Sequence, residues 1–169
     1  MVSISNQELI DVLIICQSIH HGNTMKIAKV IGEQLNAEIK NPSEIKSINK
    51  YDIIGFGSGI YDDKHHKSIF RFIDKLSKQN RKKAFIFSTS GVPIKILGKK
   101  FFLNYTKKCT KFLEKELVAK GFNVIGDLSL PGFNTNVFLK YIGGINKNRP
   151  NEKDITKAKE FAIKIKDSF

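Results

Sequence analysis

Apolar residues follow two alternating rhythms along the chain. Nearly continuous β-branched and aromatic runs fall at Ile10–Cys16, Tyr51–Gly57 and Ala84–Ser88, with a weaker one at Asn123–Leu128 and a short edge candidate at Ala37–Lys40. Runs of about four to eight such residues between turn residues suit strands covered on both faces, as in a parallel sheet. Between them the spacing changes to three and four. Ile27, Ala28, Ile31 and Leu35 share one face of Thr24–Asn36, and Ile69, Phe72, Ile73 and Leu76 share one face of His66–Lys78. Phe102, Tyr105, Cys109, Phe112, Leu113 and Leu117 form a stripe through Lys100–Lys120 that Gly121 stops. In the last helix Ile155, Ala158, Ala162 and Ile165 face inward and Lys153, Lys157, Lys164 and Lys166 face water, with Asn151 and Asp154 placed to cap the first turn.

The order β-α-β-β-α-β-α-β-α predicts an α/β fold. Right-handed crossovers put helices on both faces of a doubly wound, five-stranded parallel sheet in strand order 2-1-3-4-5, a three-layer sandwich. Ligands of such sheets sit beyond the strand carboxyl ends where strand order reverses, which points to the loops after Cys16, Phe56, Phe87 and Leu128. The 169 residues show no internal repeat and no linker, and read as one domain, residues 1–169.

Charge changes this picture. Lys and Arg number 29 against 16 Asp and Glu, a net charge of +13. Such a surface attracts nucleic acid, acidic lipid headgroups or an acidic protein. The lysines are scattered and their runs are short, so a solubilising coat is the plainer reading. No apolar run reaches the roughly 20 residues that cross a bilayer, and Met1–Asp11 lacks a leader pattern. Cys16 and Cys109 make no disulfide framework, so inert core thiols in a cytoplasmic protein are expected. No metal spacing and no Ser-His-Asp arrangement appears. His65 and His66, beside Asp62 and Asp63, read as a solvated loop and a helix start.

The chemistry concentrates in Ser18-Ile19-His20-His21-Gly22-Asn23-Thr24, directly before a helix. A helix start offers unpaired N–H groups and about half a positive charge, glycine admits close approach, and Ser and Thr add donors, which together make a phosphate cradle. The plain alternative is a capping turn with Asn23 or Thr24 as N-cap. The Gly-Lys-Ser/Thr ending of a Walker loop and the Gly-x-Gly-x-x-Gly dinucleotide fingerprint are both absent.

This loop resembles the phosphate loop of flavodoxins, Ser/Thr-x-Thr-Gly-Asn/Lys-Thr. Gly22, Asn23 and Thr24 match in place, while His20 and His21 replace small hydroxyl residues. The runs Gly132-Phe133-Asn134-Thr135 and Gly143–Asp154 resemble a group of flavodoxin-family proteins of mostly unassigned role, from whose pattern Asn134 and Asn148 depart. The resemblance covers nearly the whole chain. It implies a flavodoxin-like fold and noncovalent flavin mononucleotide (FMN), with its phosphate on Ser18, His20, His21, Gly22, Asn23 and Thr24. It also implies that the flavin ring lies between a loop at Ser58, Gly59, Ile60 and Tyr61, with Tyr61 stacking, and a second loop at Ser88, Thr89, Ser90 and Gly91. The long segment Pro131–Arg149 is expected to cap the flavin or to dock a partner.

Three functions follow in order. No proton-transfer residue is identifiable and no catalytic residue is assigned, so an electron-transfer flavoprotein needs the fewest assumptions, its redox partner protein expected to be acidic. The alternative is an FMN-dependent oxidoreductase of the quinone-reductase or flavodoxin-like protoporphyrinogen-oxidase type. The third is a non-redox anion or nucleic-acid binding module, disfavoured because the sequence signals no stacked aromatics interleaved with the basic residues.

Overall fold

A computed structural model of the chain describes residues 10–169. Residues 1–9, which hold most of the stretch read for a leader, lie outside the described residues. In chain order the elements are β1 (Val12–Gln17), α1 (Asn23–Leu35), β2 (Glu38–Lys40), β3 (Ile53–Tyr61), β4 (Lys64–His65), α2 (Lys67–Lys75), β5 (Lys83–Ser90), α3 (Ile94–Ala119), β6 (Asn123–Pro131) and α4 (Glu152–Lys166), with 3-10 turns at Pro42–Glu44 and Val137–Ile142. The parallel strands lie in the order β2-β1-β3-β5-β6. Numbered among themselves, they give the expected 2-1-3-4-5. The two-residue β4, too short to carry a period, pairs antiparallel with the end of β3, Ile60 opposite His65.

Strand alternation builds two cores. Val12, Ile14, Cys16, Phe85 and Phe87 meet Ile27 and Ile31 of α1 and Phe161 and Ile165 of α4 on one face. Leu13, Ile15, Ile54, Phe56 and Ile86 meet Ile69 and Ile73 of α2 and Leu113 and Leu117 of α3 on the other. Burial on both faces explains why the strands read as unbroken apolar runs. Gly55 and Gly57 stand opposite Phe85 and Phe87 in the sheet, and a Cβ at either would run into the facing phenyl ring. The two glycines therefore exist to seat two large rings.

Several boundaries differ from the periodicity. β3 runs on to Tyr61 and β5 to Ser90, so the two expected ring-flanking loops are strand ends. α3 starts at Ile94, breaks at Gly98 (φ 81°, ψ 161°) and resumes. Its buried face passes through Thr106 and Thr110 as well as Phe102, Cys109, Leu113 and Leu117. Phe112 is exposed there, its ring against Phe70 and under the Lys64 ammonium. Thr106 fits an apolar face because its hydroxyl donates to the Phe102 carbonyl at 2.9 Å.

α4 begins as read. The Asn151 side chain accepts from Lys153 and Asp154 amides, and Asp154 returns a bond to the Asn151 amide. The buried Asp154 carboxylate also pairs with Arg149 Nε at 2.8 Å. Among the described residues no helix is long and apolar enough to cross a membrane, and no cluster of three or more His, Cys, Asp or Glu is placed to hold a metal. Cys16 and Cys109 are both free and buried. Burial pushes the Cys16 thiol up to about 12 and raises that of Cys109 as well, which keeps both protonated and unreactive.

Candidate functional site

β1 ends at Gln17, and α1 starts six residues later. The turn between them is made by two successive left-handed residues, His21 (φ 55°) and Gly22 (φ 65°). Gly22 is the N-cap, and no side chain caps it. The two expected caps are used elsewhere: the Asn23 amide donates to the Phe133 carbonyl at 2.8 Å, and the buried Thr24 hydroxyl lies 2.7 Å from that of Thr89. The first turn of α1 carries no acidic side chain. Its amides and the positive end of its dipole are therefore free for an outside anion. Nothing lies within 4 Å of where a Gly22 Cβ would stand, and the Ser18 hydroxyl is buried without a partner. An open glycine, uncapped amides and an orphaned hydroxyl fit an anionic phosphate.

The structure brings Gly59, Ile60, Tyr61, Thr89, Ser90 and Gly91 together with His20, Asn23 and Thr24 around one cavity of about 50 Å³. Tyr61 is half-buried, its ring 5.9 Å from that of His20. Its ring covers Gly59, where a Cβ would approach within 2.8 Å. The ring's burial raises the phenol pKa.

Five expected residues lie outside the cavity wall. Ser18, His21 and Gly22 belong to the turn beside it. Ser58 and Ser88 are buried behind it. Ser58 Oγ accepts from the His66 amide at 2.9 Å and lies 3.0 Å from His65 Nδ1, while Ser88 Oγ lies 2.8 Å from Ser129 Oγ across β5 and β6. His65 is thus not a solvated loop residue. It is 2 % exposed, because Asp62 and Asp63, both left-handed, fold β4 back on β3. Burial drives its pKa down to about 3. His66 caps α2 through Nδ1.

The remaining wall comes from the segment after β6, of which Gly132, Phe133, Asn134 and Asn136 line the cavity. This segment is fastened down by side chains. His21 Nε2 lies 2.7 Å from Thr135 Oγ1, the His21 and Phe133 rings are 4.6 Å apart, and Asn134 packs on Gly91. Asn146 donates to the Val92 carbonyl at 2.8 Å. Segment length and the Gly-Phe-Asn-Thr run were its signals in the sequence, but they do not identify Phe133 and Asn134 as wall residues.

Comparison with known proteins agrees with this geometry. Residues 13–136 match the flavodoxin-domain family. The uncharacterized protein MJ0298 of Methanocaldococcus jannaschii is 52% identical over 155 residues, covering 90% of this chain and 96% of that one. Oxidised Flavodoxin 2 from Bacillus cereus superposes with a TM-score of 0.64 at 21% identity, covering 94% of this chain and 99% of that one. A flavoprotein from Lactobacillus acidophilus, solved in complex with FMN, superposes with a TM-score of 0.53 at 20% identity, covering 71% and 93%. The sheet order, the uncapped turn at its switch point and the family match over most of the chain lead to one conclusion: this chain belongs to the flavodoxin family.

Proposed function

We propose that the chain binds FMN noncovalently and transfers electrons between redox partners. The observation that carries this reading is the turn into α1, which leaves the helix start without a side-chain cap and the hydroxyl of Ser18, four residues ahead of Gly22, buried without a partner. The FMN in the Lactobacillus acidophilus flavoprotein supports flavin as the ligand class. When bound, FMN supplies the redox chemistry, and the protein tunes it through hydrogen bonds and the surrounding dielectric.

The residues divide the work. Ser18, Gly22 and the amides of Asn23 and Thr24 hold the phosphate, and His20 and His21 flank it. Gly59–Tyr61 and Thr89–Gly91 border the ring, while Ser58 and Ser88 fix the two strand ends from behind. The cavity of about 50 Å³ is smaller than a flavin ring system. Room for the ring then has to come from movement of the segment bearing Phe133 and Asn134, which a backbone bridge between Asn134 and Ile145 and side-chain bonds from His21 and Asn23 hold over the cavity. No Asp, Glu, Lys, Arg or Cys lines that cavity. Its titratable side chains are His20 and Tyr61, and electron transfer, which asks no proton transfer of either, is the reading with the fewest assumptions against a quinone-reductase or porphyrinogen-oxidising activity. The buried, separate thiols suit a reduced cytoplasmic setting. The net charge of +13 favours an acidic redox protein as partner.

Reconstitution tests the reading. Protein incubated with FMN and desalted is expected to keep flavin absorbance. Once reduced, it is expected to pass electrons to an acidic carrier, with negligible NAD(P)H-dependent quinone turnover. Rapid catalytic quinone reduction would instead assign the oxidoreductase function.

A further inference from the structure

β5 and β6 end side by side, Ser90 opposite Pro131, so the segments that follow them leave the same end of the sheet. Asn146 joins the two, donating to the Val92 carbonyl and accepting from the Ile94 amide at 3.4 Å. Residues 91–113 and 128–151 contain nine Lys and Arg and not one Asp or Glu. Both segments also hold large apolar side chains out in water. Ile96 is 78% exposed in the first turn of α3, ahead of the break at Gly98, and Leu97 and Phe101 are about half exposed. In the 3-10 turn after β6, Phe138 is 65% exposed, Tyr141 80% and Ile142 64%. None of this is needed for the phosphate cradle or the cavity wall.

We infer that this end of the molecule is a docking surface for an anionic lipid bilayer. Aromatic and aliphatic side chains that protrude singly, among lysines and without carboxylates, are the composition of an interfacial membrane contact. The apolar tips enter the headgroup boundary while the ammonium groups meet lipid phosphates, each adding to attraction at an anionic surface. Protein interfaces differ in that their cores are depleted of lysine. A second copy of this chain is disfavoured as the occupant by charge, since two faces in which Lys and Arg outnumber the neighbouring Asp63 and Asp127 would meet. The strand carboxyl ends, and any redox group held there, would then face the headgroups. The inference concerns the surface and stands apart from the identity of the cofactor.

Co-sedimentation of the full-length protein, with and without FMN, tests it. The probes are vesicles of phosphatidylcholine mixed with phosphatidylglycerol, against vesicles of phosphatidylcholine alone. Binding to the anionic vesicles only is expected. Phe138→Ser combined with Tyr141→Ser is expected to weaken it by roughly tenfold or more from lost apolar burial. Lys95→Gln with Lys99→Gln is expected to weaken it by roughly tenfold from lost charge. All four side chains are outside the buried core, and far-UV circular dichroism checks that each variant folds. Failure of the wild-type protein to bind anionic vesicles would overturn the inference. Unchanged binding by the Phe138 and Tyr141 variant would also overturn it, since only diffuse charge would then be at work. Binding of an acidic redox protein that the same substitutions abolish, with no vesicle binding, would assign the surface to a protein instead.

Discussion

A buried hydroxyl without a partner is a cost in the empty protein and an asset only if a ligand completes it. Ser18 Oγ is in that position. Ser18→Ala is therefore expected to leave the stability of the FMN-free protein unchanged or slightly raised. It should cost FMN binding about 1.5–3 kcal/mol, the value of a hydrogen bond to a charged group. Thermal melts of the free protein and flavin titrations of both proteins read the two effects separately. His65 gives the second prediction at this scale. Unfolded, it takes a proton near pH 6.5; folded, burial delays this to about pH 3. The unfolded state thus binds more protons in that window, so stability falls as pH drops from about 6.5. The loss is about 2 kcal/mol by pH 5 for this one group. Denaturant melts across that range should show the slope, and His65→Gln should flatten it. From the sequence, His65 reads as solvated because nothing in it announces the hairpin that buries the ring. Two left-handed aspartates, Asp62 and Asp63, make a turn whose usual signal is Asn-Gly or Asp-Gly. Asn23 and Thr24 read as caps for a related reason: the residues that claim their side chains, Phe133 and Thr89, are distant in sequence.

At the level of elements, apolar runs and helical spacing made the core of every major element legible, since both faces of the sheet are covered and each helix buries one stripe. The ends were not. β3 and β5 continue through Ser58–Tyr61 and Ser88–Ser90 because small polar residues pair across the ladder as readily as apolar ones, and their hydroxyls find partners within the fold. Gly55 and Gly57 would weaken an isolated strand, yet here they receive the rings of Phe85 and Phe87. Gly57→Ala is accordingly expected to destabilise by about 1–3 kcal/mol through overpacking, far beyond what a surface Gly→Ala change gives; chemical denaturation measures it. Arg149 is the corresponding case for α4. Arg149→Ala leaves the buried Asp154 carboxylate without its cation, and a loss of about 3 kcal/mol is expected. Equal stability of wild type and Arg149→Ala would mean that the cap bonds alone hold Asp154.

For the whole molecule, strand order followed from element order and handedness, and the switch point then singled out the end of the sheet where the candidate site was sought before any side chain was placed. The cover over that site was the hidden part. The segment after β6 has no period of its own, and its side chains reach back to His21, Gly91 and Val92. Net charge acts at this scale as well. With +13 on the protein, association with an acidic carrier should slow steeply as salt rises, since screening shortens to about 8 Å at physiological ionic strength; stopped-flow electron transfer reads this directly, and a salt-independent rate would reduce the charge to a solubilising coat. Everything proposed about function rests on the phosphate held at the start of α1. Parallel fluorescence titrations of the FMN-free protein with FMN and with riboflavin, which lacks only the phosphate, test that claim most directly. The uncapped amides and the Ser18 hydroxyl predict tighter binding of FMN by roughly a hundredfold or more, whereas equal affinity for the two flavins would contradict the assignment.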